Sequence, residues 1–118
     1  QDATINVIDP DSWGVTQRIA TGKEPHHLYL TPDEKSVIVA NAGADSLTFI
    51  DPRTAQVQRV VRNTLDPYHL RFSPDMKWFV TVANRLDHID QQDRLESSRG
   101  SRYIGSGRGR GLLALIAR

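Results

Sequence analysis

Short apolar segments separated by turn-forming residues run through the first three quarters of the chain. Apolar and polar positions alternate there, and Pro, Gly, Asn or Asp interrupts the pattern about every five to ten residues, which is typical of strands joined by tight turns. No amphipathic pattern of period 3.6 accompanies them. The predicted strands cover residues 4–8, 15–20, 26–30, 36–41, 47–50 and 57–61. The chain is therefore expected to be all-β.

The strand pattern repeats with a period of about 42 residues. Residues 25–35 and 67–77 are identical at six of eleven positions, where unrelated sequences would share about one. The phrase Ile-Asp-Pro occurs at 8–10 and again at 50–52, and the run Val-x-Val-Ala-Asn at 37–41 recurs at 80–84 after one inserted residue. A period of this length signals a solenoid or a propeller, in which each repeat is one supersecondary unit.

Four short strands fill each repeat and leave no room for a helix. Each repeat is therefore expected to form a four-stranded antiparallel sheet, which is the blade of a β-propeller. Residues 1–90 would form an incomplete ring, because 4–20 supply the outer half of one blade, 26–61 a whole blade, and 68–84 the inner half of a third. Residues 91–118 lose the repeat and form a tail rich in Arg, Gly and Ser.

The order and period of these phrases resemble the YVTN-type β-propeller repeats of bacterial and archaeal secreted proteins. The phrases Ile-Asp-Pro, Gly-x-x-Pro, x-Pro-Asp-x-x and Val-x-Val-Ala-Asn carry the resemblance, which covers about residues 3–90. They are also similar to the propeller domain that holds the d-type haem of periplasmic nitrite reductases. The resemblance implies a propeller fragment with a periplasmic or extracellular location and a binding or scaffold role; alternatively, it implies a redox propeller that holds a metal or haem.

Two histidines occupy equivalent positions of consecutive repeats. His27 and His69 are separated by the repeat length and begin the predicted innermost strands, so both are expected to face the channel at matching heights, whereas His26 is expected to point to the other side. Neutral imidazole is a common ligand of copper, zinc and iron. His27 and His69 are therefore the candidate residues for a metal or a haem cofactor. Alternatively, each could hydrogen-bond the backbone of a neighbouring blade, or serve as a general acid or base.

Other side chains that could carry chemistry are expected to be structural. Asp9 and Asp51 follow a strand and precede a proline, where a carboxylate accepts hydrogen bonds from the turn that follows. The aromatic residues Trp13, Trp78 and Phe79 are predicted to pack between blades. No phosphate-binding loop or nucleophile elbow is present, so the sequence favours a protein without catalytic activity but leaves enzymatic activity open.

Composition limits the possible classes of function. The chain has 38% hydrophobic and 25% charged residues, as in a soluble globular protein, and it has no cysteine; disulfides and thiolate metal sites are thereby excluded. The apolar run at 112–117 could form a short helix, but a membrane-spanning helix needs about 20 residues. No membrane span is therefore predicted.

The tail differs from the repeats in charge. Residues 1–90 carry nine Lys and Arg against twelve Asp and Glu, whereas 91–118 carry six Arg against two acidic residues. The stretch 105–111 resembles Arg-Gly segments that bind RNA, but only two Arg alternate with Gly and no aromatic residue is interleaved, which argues against a nucleic-acid partner. The tail is expected to be disordered or non-native. Unpaired strand edges and uncovered apolar faces predict self-association of the chain, beside a ligand or protein partner that the sequence does not identify.

Overall fold

The strands predicted for the first two repeats are present with ends that differ by at most one residue. The computed structural model describes residues 2–62, 64, 66–75, 77–83, 101–105 and 112–117. Within them one 3₁₀ turn is found, at Ala42–Ala44. The strands are β1 (Thr4–Ile8), β2 (Val15–Ala20), β3 (Pro25–Leu30), β4 (Val37–Asn41), β5 (Ser46–Ile50), β6 (Val57–Arg62), β7 (Pro67–Phe72), β8 (Trp78–Ala83), β9 (Ser101–Gly105) and β10 (Leu112–Ala117). The all-β prediction is confirmed.

Three antiparallel sheets are built from these strands. The first pairs β1 with β2, the second has the order β3-β4-β5-β6, and the third has the order β7-β8-β10-β9. The second sheet is a complete four-stranded blade with strands in chain order. Together the sheets form part of a β-propeller whose ring is not closed, as the repeat predicted. In the part of the chain that the structure describes, no helix is long and apolar enough to cross a membrane.

Two strands from the tail complete the third sheet. β10 lies between β8 and β9 and pairs with β8 along its whole length, from Leu112 opposite Ala83 to Ala117 opposite Trp78. The prediction of a short helix at 112–117 is therefore wrong. The edge of β8 offers backbone hydrogen-bond partners to an extended segment. Asn84, residues 91–100 and residues 106–111 lie outside the described residues. A disordered or non-native tail thus stays a prediction.

Equivalent aspartates organise the outer turns. Oδ1 of Asp9 accepts hydrogen bonds from the backbone N–H groups of Asp11 and Ser12, and Oδ1 of Asp51 does the same for the residues at 53 and 54. Their predicted role in turns is confirmed. Trp13 lies in the first of these turns with φ of 59° and is 80% exposed. The prediction that it packs between blades is wrong, since the left-handed turn directs its ring into solvent.

The inner hairpins β3–β4 and β7–β8 follow the same 42-residue offset along their whole length. The pairs in question are Pro25 with Asn41 and Pro67 with Ala83 at one end, and Leu30 with Val37 and Phe72 with Phe79 at the other. The prediction that one residue is inserted in the second copy, before residues 80–84, is therefore wrong. A slip of one residue would turn Phe79 to the opposite face. Because Phe79 is fully buried, its ring favours the observed register.

Both faces of the complete blade are packed. On one face, Leu70 and Phe79 of the third sheet contact a buried cluster of β4 and β5. On the other face, Ile19 of β2 packs with further residues of β4 and β5. The first cluster comprises Ile38, Ala40, Leu47 and Phe49, and the second comprises Val39 and Ile50. The predicted packing of Phe79 between blades is confirmed, whereas Trp78, on the opposite face of β8, remains 39% exposed.

Truncation of Phe79 tests this packing. We expect Phe79→Ala to lower the free energy of unfolding by about 3 to 5 kcal/mol, because a buried ring is lost and a cavity remains. Urea denaturation followed by circular dichroism measures the change. Trp13→Ala is the matched control and should change stability by less than about 0.5 kcal/mol, since its ring is in solvent. Equal losses in the two variants would contradict the packing described.

Candidate functional site

Five aromatic side chains gather at the start of the innermost strands β3 and β7. Adjacent ring centroids are separated by 4.6 to 6.1 Å. We call this set the ring cluster; its members are His26, His27, Tyr29, Tyr68 and His69. Imidazole and phenol groups combine flat apolar faces with hydrogen-bonding atoms at their edges. The cluster therefore combines flat stacking surfaces with hydrogen-bonding atoms.

A β-bulge at the start of each inner strand concentrates the rings. The pairing register shifts between Pro25 and His27 in β3, and again between Pro67 and Leu70 in β7. On a regular strand successive side chains point to opposite faces, yet the rings of His26 and His27 are 5.8 Å apart and nearly parallel, at 13°. The prediction that His26 points to the other side is wrong, because the bulge re-aims its side chain.

The chain enters both inner strands through the same backbone conformation. Glu24 and Asp66 immediately precede the two prolines and have positive φ values of 50° and 40°. The carbonyl of Glu24 accepts a hydrogen bond from Ala42 N–H at 3.0 Å, and Asp66 N–H donates to Oδ1 of Asp45 at 2.9 Å. Left-handed conformations are uncommon outside glycine. Because this conformation occurs at equivalent positions of the two repeats, β3 and β7 begin with the same backbone direction.

The structure brings the two predicted site residues together. The ring centroids of His27 and His69 are 4.7 Å apart, with an angle of 64° between the planes. Their environments differ, since His27 is half-buried and His69 is exposed. Proximity of equivalent histidines is the arrangement expected from the repeat, and their role as ligands stays a prediction.

His27 carries a polar atom that has no partner. Its Nδ1 is buried and makes no hydrogen bond within the described residues. Burial lowers the pKa of His27 below 6.5, and the nearby imidazoles of His69 and His26 lower it further. Each of these effects disfavours the charged form. His27 is therefore held neutral, with a lone pair available on one ring nitrogen.

His69 is oriented by a phenol from the neighbouring blade. The hydroxyl of Tyr29 and Nδ1 of His69 are 3.0 Å apart and share a hydrogen bond. If Nδ1–H is the donor, the Tyr29 oxygen accepts and Nε2 of His69 is free to bind a ligand; the opposite tautomer places the proton on Nε2. The direction of this hydrogen bond therefore decides whether Nε2 of His69 carries a proton or offers a lone pair to a ligand.

Two members of the ring cluster, Tyr29 and Tyr68, are not among the residues predicted from the repeat. Tyr29 follows His27 by two positions, and that spacing places both on one face of a strand, so alternation alone could have included it. Tyr68 stands one repeat after His26. Because one residue is a tyrosine and the other a histidine, comparison of the two repeats does not single out this position. The ring of Tyr68, 4.8 Å from that of His27 and 4.6 Å from that of His69, enters through the bulge in β7.

The surroundings of the cluster limit what it can hold. Within the described residues no group of three or more His, Cys, Asp or Glu side chains could hold a metal ion. An open cleft of about 440 Å³ adjoins the cluster and is lined by Asp2, Glu24, Pro25 and His26. A metal ion at His27 and His69 would therefore keep open coordination positions, and a ligand approaching along the cleft would meet carboxylates.

The sheets and their 42-residue repeat define an open β-propeller with aromatic and imidazole side chains at its inner edge. The YNCE-like beta-propeller family matches residues 1–98. The chain belongs to this family.

Solved structures show the same fold. Hydrazine synthase of Kuenenia stuttgartiensis is similar with a TM-score of 0.64 and 20% identity over 95% of this chain and 29% of that one. A functionally unknown protein from Desulfotomaculum acetoxidans DSM 771 is similar with a TM-score of 0.61 and 17% identity over 98% of this chain and 34% of that one. At these identities the likeness shows the fold alone, and the chain spans about a third of their length. No curated protein matches the chain.

The lowered pKa of His27 predicts a pH-dependent stability. The unfolded chain binds a proton at His27 near pH 6.5, whereas the folded state resists protonation there, so acidification favours unfolding. Between about pH 7.5 and pH 5.5 the free energy of unfolding of the wild type should fall more than that of His27→Gln. Urea denaturation at both pH values measures the difference. Trp13→Ala should retain the wild-type pH dependence; an equal fall in wild type and His27→Gln would contradict the assignment.

Proposed function

We propose that this chain is part of a secreted or periplasmic binding propeller, which binds a small hydrogen-bonding ligand at the ring cluster and otherwise serves as a scaffold. The buried and unpartnered Nδ1 of His27 is the observation that supports this function. A buried polar atom without a partner costs about 1 to 3 kcal/mol. A ligand that donates an N–H or O–H to this nitrogen would remove that cost.

The chemistry of the surrounding rings indicates which ligands suit the site. Tyr68 and His69 lie within 5 Å of the His27 ring, measured between centroids, and meet it edge to face. Such surfaces favour flat, partly apolar molecules. Because His27 is held neutral, it acts best as an acceptor toward a neutral donor. A planar ligand with one hydroxyl or amino group fits these conditions.

The proposed location is inferred from the resemblance to repeats of secreted proteins. The absence of cysteine is compatible with either side of a membrane. Fractionation of source cells, followed by immunodetection of the protein, would test the location directly.

Phenol is a suitable probe of the proposed site, because it combines one hydroxyl donor with one flat ring. We expect phenol to shift the imidazole NMR signals of His27 and His69. His27→Phe should weaken phenol binding by about two- to twelvefold, the equivalent of a net hydrogen bond of about 0.5 to 1.5 kcal/mol. Trp13→Ala should leave the affinity unchanged. Unchanged affinity in His27→Phe would exclude Nδ1 as the acceptor.

A metal-holding propeller is the second candidate function. It is favoured by the 4.7 Å separation of the His27 and His69 rings and by the neutral state of His27, since neutral imidazole is the form that binds copper or zinc. Tyr29 would accept the Nδ1–H hydrogen bond of a metal-bound His69 and fix its orientation. The described residues supply two ligands, and other ligands would come from solvent or from another chain.

The site fits a single metal ion better than a haem. A haem needs a broad apolar slot beside its axial imidazole. The space that adjoins the ring cluster is instead lined by Asp2, Glu24, Pro25 and His26, and the rings themselves are packed against one another. The donor set therefore supports the single-ion alternative.

Copper(II) tests the metal alternative. We expect the electron paramagnetic resonance spectrum at neutral pH to show two nitrogen ligands, and His27→Gln or His69→Gln to lose one of them with at least about a tenfold loss of affinity. Affinity should also fall on acidification, because protons compete with the metal ion for the imidazole of His27. His26→Gln is the matched control and should retain both nitrogens. A two-nitrogen spectrum that persists in the double variant His27→Gln/His69→Gln would contradict this site.

A further inference from the structure

A groove lies between the first sheet and the outer strands of the complete blade. Residues 20–22, which end β2 and follow it, form one wall, and β5 and β6 form most of the other. The volume of the groove is about 250 Å³, just below the roughly 300 to 1,000 Å³ of ordinary ligand pockets. Both walls come from described residues of consecutive repeats, and none of them belongs to the ring cluster. The groove is therefore a separate space with room for a small molecule.

The complete blade gives this groove one polar end and one apolar end. Ser46 pairs with Arg62 where β5 begins and β6 ends, and Thr48 pairs with Val60 two positions further along. Residues two apart on a strand point to the same side, and these four side chains all line the groove. Val57 at the start of β6 extends the apolar end. Hydroxyl and guanidinium groups thus lie at one end, and valine methyl groups lie at the other.

A buried asparagine orients the two hydroxyl groups. Nδ2 of Asn41 donates hydrogen bonds to Oγ of Ser46 at 3.3 Å and to Oγ1 of Thr48 at 2.9 Å. Each hydroxyl oxygen is the acceptor in these bonds, so its own proton remains available. Asn41 is fully buried, and its amide is therefore enclosed by protein. Both hydroxyl groups can consequently donate a hydrogen bond to a ligand in the groove.

The place of Asn41 behind the groove depends on a glycine in the opposite wall. A Cβ atom at Gly22 would lie 2.8 Å from the Cβ atoms of Asn41 and Ala44, so only glycine allows this close approach. The next repeat has Thr64 at the position of Gly22 and Ala83 at the position of Asn41. The asparagine that orients the hydroxyl groups is thus a feature of this groove and not of the repeat in general.

Arg62 adds a positive charge at the polar end. Within the part of the chain that the structure describes, its guanidinium makes no ion pair or hydrogen bond. The described lining contains no acidic side chain. Oδ1 of Asp45, which precedes Ser46 in the chain, accepts a hydrogen bond from Asp66 N–H. A guanidinium and two hydroxyl donors match the oxygen atoms of a carboxylate.

We propose that this groove binds a small organic carboxylate with a short apolar body. The carboxylate oxygens accept hydrogen bonds from Arg62, Ser46 and Thr48, and the apolar body lies on Val57 and Val60. These valines are 45% and 43% exposed, and an inorganic anion would leave them in contact with water, which favours a ligand that covers them. The site goes beyond the function proposed above, because it takes an anion at a place distant in the fold from the ring cluster.

Isovalerate, a carboxylate that bears an isobutyl group, is a suitable probe. We expect it to produce saturable shifts of the backbone amide NMR signals of Ser46 and Thr48 in the full chain. Arg62→Gln should weaken binding about tenfold, because a charge-assisted hydrogen bond is lost. Arg53→Gln is the matched control, since it removes the same charge from a side chain that is 88% exposed and does not line the groove; it should leave the affinity unchanged.

A second pair of variants tests the hydroxyl donor. Thr48→Val keeps the volume of the side chain, removes the hydroxyl group and should weaken isovalerate binding about two- to twelvefold. Thr48→Ser keeps the hydroxyl group and should bind within about twofold of the wild type. His27→Phe should leave the affinity unchanged, because the ring cluster takes no part in this site.

A ligand series on the wild type needs no variant. Isovaleramide, the neutral amide, should bind at least about tenfold more weakly than isovalerate, and acetate, which lacks the isobutyl group, at least about fivefold more weakly. Absence of saturable binding, equal affinity for isovalerate and isovaleramide, tighter binding of inorganic phosphate, or equal losses in Arg62→Gln and Arg53→Gln would each overturn the proposal. A loss in His27→Phe as large as that in Arg62→Gln would also overturn it.

Discussion

The packing of Leu70 and Phe79 against the complete blade is the contact on which the rest of the arrangement depends. These two side chains join the third sheet to β4 and β5 and are almost entirely buried. Their position places β7 beside β3, and so brings the ring cluster together across two blades. Because each blade of a propeller touches only its neighbours, order between repeats depends on such contacts.

The site depends equally on local departures from regular strand geometry. The bulges at Pro25–His27 and Pro67–Leu70 turn consecutive rings to one side, which a regular strand does not allow. Burial then keeps His27 neutral, and Tyr29 from one blade contacts His69 from the other. Packing between blades and bulges within strands together create a polar cluster that neither repeat contains alone.

Membership of the family establishes the fold of this chain but does not identify its function. Propellers carry binding, catalytic and structural roles on the same scaffold, so the function of this chain depends on its ring cluster rather than on its fold. Strand β3 presents His27 and Tyr29 to β7 on one side, whereas Leu28 and Leu30 on its other side are exposed.

Local sequence determined the strands, their antiparallel arrangement and the aspartate turns, because alternation, proline positions and Asx hydrogen bonds act within a few residues. The 42-residue repeat also placed His27 and His69 at equivalent points. Tertiary structure decided what local pattern leaves open: the register of β8, in which Phe79 rather than Val80 is buried, and the side on which His26 lies. It also decided that the tail strand β10 pairs with β8. Leu28 and Leu70 share one position of the repeat but differ in burial, since burial depends on the neighbouring sheet.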